Sequence, residues 1–176
     1  LRASPDGSDV FAGTAGGELL AVAARSGAQR WAHRLGEATP SSWTFSLTPD
    51  GARAIFWAGN GEVRALACAS GEEDWSRQPP GLGLTEAVPS DWSFCLGPDG
   101  VSMFFTMSDG RLCSMSAASG EIQWTYSLGE DTSPVPGSCT IVPDGSSIFV
   151  ASSDGRLHAV SASTGQRQWL CELGEA

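Results

Sequence analysis

The sequence contains no lysine, and its ten basic residues, all arginine, are outnumbered by twenty acidic residues. The 176-residue chain therefore carries a formal net charge of −10 at pH 7. Because phosphate backbones repel a chain of this charge, nucleic acid is not expected among its partners. A protein partner with a basic surface suits this charge better.

Long apolar runs are also missing, and none approaches the ~20 residues that span a bilayer, so no transmembrane segment is predicted. No signal-peptide pattern begins at Leu1. The sequence does not start with methionine, and we expect it to be part of a longer polypeptide. These features leave the localisation of the protein open.

The cysteines and histidines lack the spacing of a metal site. His33 and His158 occupy different positions of the repeat described below, so they are not expected to share a metal. No cofactor is predicted from these residue types. The cysteines match no CxxC pattern and are odd in number, which predicts small buried thiols at Cys68, Cys95, Cys113, Cys139 and Cys171.

One pattern recurs four times along the chain. The tripeptide Pro-Asp-Gly (PDG) ends at Gly7, Gly51, Gly100 and Gly145, at spacings of 44, 49 and 45 residues. In every copy a second glycine follows after ten residues, a third after twenty, and a tryptophan after twenty-four. Constant offsets of this kind identify a repeat protein. The third glycines and the tryptophans are Gly27 and Trp31, Gly71 and Trp75, Gly120 and Trp124, and Gly165 and Trp169.

Each copy predicts four short strands. Apolar and aromatic runs such as VFAG and MFFTM follow the PDG and favour a strand. The Gly-Gly, Asn-Gly or Asp-Gly turn after them predicts a type I′ hairpin. The next strand is apolar on both faces, as in a sheet packed between two others. A strand carrying the tryptophan and a short strand before each PDG complete the set.

Four antiparallel strands in about 45 residues form one blade of a β-propeller. We therefore predict that the chain is all-β, a single β-propeller segment over residues 1–176 built of four-stranded antiparallel blades. The blades are expected at about 1–35, 42–79, 91–128 and 137–174.

The constant spacing of glycine and tryptophan suggests how neighbouring blades pack. The glycine allows a sharp turn into the outermost strand. The tryptophan is then expected to lie flat against the next blade, beside the glycine turn of that blade. Its indole N–H needs an acceptor, for which a backbone carbonyl of the neighbouring blade is suitable. Burial of one indole contributes at most about 4–6 kcal/mol to each junction.

The four segments AARSGAQRW, ACASGEEDW, SAASGEIQW and SASTGQRQW resemble the tryptophan-docking motif of quinoprotein-like (PQQ-like) β-propeller repeats. The resemblance covers all four repeats. WD repeats share the PDG and Asp-Gly turns, but the Trp-Asp dipeptide that closes their second strand is missing here. The resemblance implies the propeller fold and assigns blade docking to the four glycine–tryptophan pairs.

Some members of that family are dehydrogenases that bind pyrroloquinoline quinone (PQQ) and calcium, and others form the ring without a cofactor. The vicinal cysteine pair and inserted loops of the catalytic members are missing from this sequence. The resemblance therefore implies the non-catalytic branch, with no enzyme activity and no cofactor. We expect a scaffold that mediates protein–protein interaction within a larger assembly.

Two alternatives stay open at this point. Besides the scaffold, one alternative is a segment of a PQQ-dependent oxidoreductase whose cofactor site lies elsewhere. The other alternative is a propeller that senses a small ligand. Trp43 and Trp92 each lie eight residues before a PDG glycine and are the candidate contacts for a partner or ligand. The acidic run at 72–74 is interpreted as a solvated outer edge of a blade.

Rings of the quinoprotein-like kind usually close with seven or eight blades. Four blades would leave two apolar blade faces bare, which a monomer rarely tolerates. We expect the ring to be completed by further blades of a longer polypeptide or by a second copy of the chain. Closure by four blades alone is the third arrangement.

Overall fold

The structure is a computed structural model that describes residues 1–34, 45–58, 61–79 and 94–174. The chain divides into two compact units, Leu1–Pro79 and Pro80–Ala176. Each unit contains two four-stranded antiparallel sheets, in which each strand pairs with the strand that precedes or follows it in the sequence. No helix occurs in the described ranges, and the predicted all-β fold of four-stranded blades is confirmed.

The first unit contains two sheets, named blades 1 and 2. Blade 1 consists of β1 (Arg2–Ala3), β2 (Asp9–Gly13), β3 (Glu18–Ala23) and β4 (Gln29–Arg34). Blade 2 consists of β5 (Phe45–Leu47), β6 (Arg53–Trp57), β7 (Val63–Ala67) and β8 (Glu73–Arg77).

The second unit contains blades 3 and 4. Blade 3 consists of β9 (Cys95–Leu96), β10 (Ser102–Thr106), β11 (Arg111–Ser116) and β12 (Ile122–Ser127). Blade 4 consists of β13 (Thr140–Ile141), β14 (Ser147–Ser152), β15 (Arg156–Ser161) and β16 (Arg167–Glu172).

The turn between the second and third strands differs from the predicted type I′ hairpin. In blade 3 the N–H of Gly110 donates to the carbonyl of Met107 at 3.0 Å, and the N–H of Met107 donates to the carbonyl of Arg111 at 2.8 Å. Gly110 has φ 82°, whereas Asp109 does not adopt a positive φ. The loop of blade 3 therefore has three residues with only its glycine left-handed, and the type I′ prediction is wrong for this blade because it required two left-handed residues.

A β-bulge interrupts the pairing of the third and fourth strands beside each docking tryptophan. In blade 1 Ala21 pairs with Trp31 and Val22 pairs with Gln29, which leaves Arg30 as the extra residue. A bulge increases the local twist and re-aims the neighbouring side chain. The same shift recurs at the tryptophans of the other blades, which pair with the small residues Ala65, Ser114 and Ala159.

Two apolar clusters, one in each unit, are built from both of that unit's sheets. The cluster of the second unit contains Phe104, Leu112, Ile148, Val160 and Ala162. That of the first unit contains Phe11, Leu19, Ala21, Phe45, Ala54, Phe56, Leu66 and Cys68. In both clusters a docking tryptophan packs at the margin.

None of the described segments forms a helix long and apolar enough to cross a membrane.

Candidate functional site

The junction between blades 1 and 2 is built around Trp31. Its indole N–H donates a hydrogen bond to the backbone carbonyl of Cys68 at 2.8 Å. Its ring lies against Gly71, where an added Cβ would come within 2.6 Å of two ring carbons. The ring of Phe11 lies 5.8 Å from that of Trp31, centroid to centroid. The residue at 71 must therefore lack a side chain for the indole to dock.

The junction between blades 3 and 4 has the same construction. The indole N–H of Trp124 donates to the carbonyl of Ala162 at 3.0 Å, and the ring lies 2.6 Å from the position of a Cβ on Gly165. The ring of Phe104 lies 5.8 Å from the indole. Because Cys68 and Ala162 occupy the same repeat position, one contact pattern serves both junctions.

The remaining docking residues have different surroundings. Trp75 is buried, whereas Trp169 is 44% exposed and stacks within its own blade on Phe149, at 5.5 Å between ring centroids. Gly27 has φ 69°, and a Cβ there would meet nothing within 4 Å. Gly120 also has φ 69°.

Within each unit a second contact joins the PDG turns of its two blades. The Pro5 ring lies 3.1 Å from the position of a Cβ on Gly51, and the Pro98 ring lies 3.0 Å from that of Gly145. The sequence predicts only a turn at PDG. Its proline also packs against the PDG glycine of the next blade, and the unchanged proline in all four copies was the signal that could have shown this.

The aspartates of the PDG turns form an acidic edge in each unit, here called the PDG rim. Asp6 accepts from the hydroxyl of Ser4 at 2.6 Å and from the N–H of Ser8 at 3.0 Å. These hydrogen bonds lower the pKa of Asp6 to about 2, because they stabilise the carboxylate. The hydroxyl of Thr48 lowers the pKa of Asp50 in the same way, and that of Ser146 lowers the pKa of Asp144. These carboxylates are therefore charged at neutral pH.

The opposite ends of the sheets, called the hairpin rim, carry an ion pair between arginine and a carboxylate in each blade. Each blade has an arginine within 3.2 Å of a carboxylate there. The aspartates of the PDG rim differ, because hydroxyl and backbone N–H groups hold Asp6, Asp50 and Asp144. The hairpin-rim pairs are Arg34 with Glu18, Arg64 with Glu62, Arg111 with Asp109 and Arg156 with Asp154.

His158 forms a further polar link between blades 3 and 4. Its Nδ1 lies 2.9 Å from the Tyr126 hydroxyl, and its Nε2 lies 3.0 Å from the Ser152 hydroxyl. The side chain is 2% exposed, and burial lowers its pKa against the opposing effect of Asp154. The sequence does not reveal this role of His158, because its partner Tyr126 belongs to another repeat.

Other sequence expectations have mixed outcomes. Trp43 and Trp92 lie outside the described residues. Glu72, Glu73 and Asp74 are all exposed at the outer edge of blade 2. Glu73 also lies 3.7 Å from Arg64, and Asp74 lies 2.8 Å from Arg53. Within the described segments no three histidine, cysteine, aspartate or glutamate residues form a group able to hold a metal.

The expectation of five buried thiols is wrong for three of them. Cys68 and Cys113 are buried, Cys95 and Cys139 are half-buried, and Cys171 is exposed. Burial raises the pKa of Cys68 to about 12 and that of Cys113 to about 11. These two thiols are therefore protonated and unreactive at neutral pH.

Four-stranded antiparallel blades joined by a tryptophan on a glycine turn define a β-propeller of the PQQ-like repeat class. The family model described as outer membrane protein assembly factor BamB matches residues 1–132 and 96–176, and the chain belongs to this family. The fold is similar to the crystal structure of BamB from Moraxella catarrhalis, with a TM-score of 0.67 and 22% identity. The alignment covers 97% of this chain and 48% of the Moraxella chain, so this chain spans about half the length of that relative. A comparison with curated proteins finds no match.

Proposed function

We propose that the chain is a non-catalytic β-propeller scaffold that mediates protein–protein interaction within a larger assembly. The observation that carries this proposal is the match of an assembly-factor family model along the whole chain. The blades supply a rigid support, because each described junction is fixed by an indole hydrogen bond and a close ring–glycine contact. Loops and rims on such a support are suited to binding a partner.

The PDG rim is proposed as the surface that meets the partner. Its carboxylates accept hydrogen bonds mainly from hydroxyl and backbone N–H groups, which leave their negative charge in place. A basic patch on the partner would be attracted to this rim and oriented by it. On the hairpin rim the carboxylates of Glu18, Glu62, Asp109 and Asp154 are already paired with arginine and are less suited to this role.

A site-specific photo-crosslinking experiment tests the scaffold role in cells that express the full gene product. The photoreactive residue replaces Asp144 on the PDG rim, with a matched control at Asp109 on the hairpin rim. We expect a defined protein adduct from position 144 and a weaker adduct or none from position 109, with mass spectrometry identifying a component of outer-membrane protein assembly. A scaffold role is contradicted if neither position gives a protein adduct.

The enzymatic alternative is tested separately on the same purified protein. We expect that adding pyrroloquinoline quinone with Ca²⁺ changes neither the absorbance spectrum of the cofactor nor the rate of dye-linked alcohol oxidation. Sustained oxidation under these conditions would replace the scaffold proposal with that of a quinone-dependent oxidoreductase.

Completion of the ring is a further part of the proposal. Trp169 is 44% exposed, and Gly27 has open space where Gly71 and Gly165 each receive an indole. We infer that Trp169 docks on the glycine turn of a further repeat, from the same polypeptide or from a second copy. Light scattering after gel filtration distinguishes the sources, since a second copy gives about twice the 18.3 kDa of this chain. Exposure of Trp169 in the full gene product, measured by indole oxidation, would contradict the inference.

A further inference from the structure

Two cysteines of consecutive blades face each other across the junction of the second unit. The Sγ atoms of Cys95 and Cys139 lie 3.5 Å apart. Cys95 begins β9, the first strand of blade 3, and Cys139 directly precedes β13, the first strand of blade 4. Both side chains are half-buried and pack against the apolar cluster of the unit. The two thiols are therefore held together by strands of different blades.

We propose that Cys95 and Cys139 form a disulfide that links blades 3 and 4 when the protein meets a small-molecule disulfide such as glutathione disulfide. In the first step the Cys95 thiolate attacks one sulfur of glutathione disulfide, forms a mixed disulfide and releases one glutathione thiolate. The Cys139 thiolate then attacks the Cys95 sulfur and displaces the second glutathione. Two electrons pass to glutathione disulfide, and the two protons of the protein thiols end on the two glutathione thiols.

The geometry favours ring closure over a lasting mixed disulfide. A disulfide bond is about 2.05 Å long, so the sulfurs need to approach by roughly 1.5 Å, which is within reach of side-chain rotation. The hydrogen bond with Cys139 also lowers the pKa of the Cys95 thiol, against the burial that raises it. Cys95 is thereby more easily ionised than the buried thiols Cys68 and Cys113, whose pKa values are raised.

The cross-link would join the blades at a different strand from the indole and histidine contacts. Trp124 and Tyr126 join the blades through the fourth strand of blade 3, whereas the cysteines join the first strands. The bond would close a loop between residues 44 positions apart, which restricts the unfolded chain and stabilises the folded unit. In the first unit the same repeat positions hold Arg2 and Phe45, so the link is specific to the second unit.

Thiol mapping on the purified chain tests the proposal. The protein is equilibrated with glutathione disulfide, its remaining thiols are alkylated, and its peptides are identified by mass spectrometry. We expect peptides containing Cys95 and Cys139 to be joined, and addition of reductant to lower the Tm of the oxidised protein by about 5–10 °C. The Cys171→Ser variant serves as the matched control and should behave like the wild type.

Loss of the link identifies its members. In Cys95→Ser the remaining Cys139 should be alkylated, whereas in Cys139→Ser Cys95 should stop at the mixed disulfide with glutathione, which the missing thiol can no longer resolve. In both variants the response of the Tm to reductant should disappear. Serine is close in size to cysteine, so these variants test the bond with little change in packing. The proposal is overturned if both wild-type thiols remain fully alkylated after oxidation, if Cys95 of the wild type stays joined to glutathione, or if the joined peptides leave the Tm insensitive to reductant.

Discussion

Gly71 and Gly165 satisfy two separate requirements at the blade junctions. Each has a left-handed backbone, with φ of 75° and 70°, which an L-residue with a side chain adopts at a cost. Each also lies under an indole ring that leaves no room for a Cβ. The glycine turn is therefore part of the docking surface as well as a point where the chain reverses.

The two requirements can be separated by comparing Gly165→Ala with Gly27→Ala. Both glycines have nearly the same φ, 70° and 69°, but only Gly165 has a ring at 2.6 Å. We expect Gly27→Ala to lower the free energy of unfolding by about 1–2 kcal/mol through backbone strain. Gly165→Ala should cost about 1–3 kcal/mol more, because the indole must move. Urea unfolding measures both, and equal losses would mean that the ring contact contributes nothing.

Removal of the docking indole gives a second prediction. We expect Trp124→Ala to cost about 3–5 kcal/mol of stability, since it empties a packed position and leaves the Ala162 carbonyl without its donor. The matched control is Trp169→Ala, because Trp169 is 44% exposed. Its cost should stay under about 1 kcal/mol in this chain. Thermal unfolding checks both, and similar losses at the two positions would argue against docking.

His158 predicts a pH dependence of stability. Burial is the main cause that lowers the pKa of His158 in the folded chain below the ordinary 6.5. The charge of Asp154 opposes this shift, and the charges of Arg156 and Arg167 add to it. The unfolded chain therefore binds the proton more readily than the folded chain. The contribution of His158 to the free energy of unfolding is fully present above pH 6.5 and decreases as the pH drops below it.

The matched variant is His158→Gln, which keeps groups able to bond Tyr126 and Ser152 but does not titrate. We expect the Tm of the wild type to fall more steeply than that of the variant as the pH is lowered below 6.5. Parallel curves would contradict this prediction, because they would show that the pKa of His158 is the same in the folded and the unfolded chain.

The bulge at each fourth strand lets one side chain reach across the third strand to the second. The extra residue of the bulge contacts the second residue after the PDG glycine in every blade, with different chemistry each time. The pairs are Arg30 with Asp9, Asp74 with Arg53 at 2.8 Å, Gln123 with Ser102 at 2.8 Å, and Gln168 with Ser147 at 2.9 Å. The positively charged partner lies on the fourth strand in blade 1 and on the second strand in blade 2, and both partners are neutral in blades 3 and 4. The contact therefore links the strands without depending on one residue type.

A charge exchange in blade 2 tests this contact, since blade 1 already has the reverse polarity. We expect Asp74→Arg alone to lower stability by about 1 kcal/mol or less, because it places two arginines together. The double variant Arg53→Asp with Asp74→Arg should recover most of that loss. Urea unfolding of the four chains in a double-mutant cycle gives the coupling energy. A coupling near zero would show that the pair is too solvated to matter.

The blades were predictable from the sequence because the glycines and tryptophans recur at constant offsets. The hairpin loops were not, since an Asp-Gly pair suits both a type I′ turn and a three-residue loop with one left-handed glycine. The link from Tyr126 to His158 and the approach of Cys95 to Cys139 were also hidden. These partners are 32 and 44 residues apart, and repeat offsets do not reveal which side chains of two blades meet.

At the scale of the whole molecule, charge is divided between the ends of the blades. Each blade has one carboxylate paired with arginine on the hairpin rim, and the aspartates Asp6 and Asp50 of the PDG rim are held by hydroxyl and N–H groups. The two ends of each blade therefore differ in the groups that hold their carboxylates. An uneven charge distribution orients a charged partner before contact.

This division predicts how the partner identified by crosslinking responds to salt. We expect its affinity to weaken as NaCl is raised and the Debye length shortens. Neutralising the PDG rim with Asp6→Asn, Asp50→Asn and Asp144→Asn should weaken binding and flatten the salt dependence, as measured by titration calorimetry. Asp109→Asn with Asp154→Asn on the hairpin rim is the control. An equal response to both sets would contradict a role specific to the PDG rim.

The contact between the proline of one PDG turn and the glycine of the next has a consequence for how such chains evolve. The contact residues of each repeat, from the proline of the PDG to the tryptophan, lie in a stretch of constant length, and only the connectors between repeats vary, giving spacings of 44, 49 and 45 residues. A duplicated gene segment would thus already encode both sides of the contact, the proline that packs and the glycine that receives it. Propellers of this type can grow by copying, with no compensating change in the ancestral repeats.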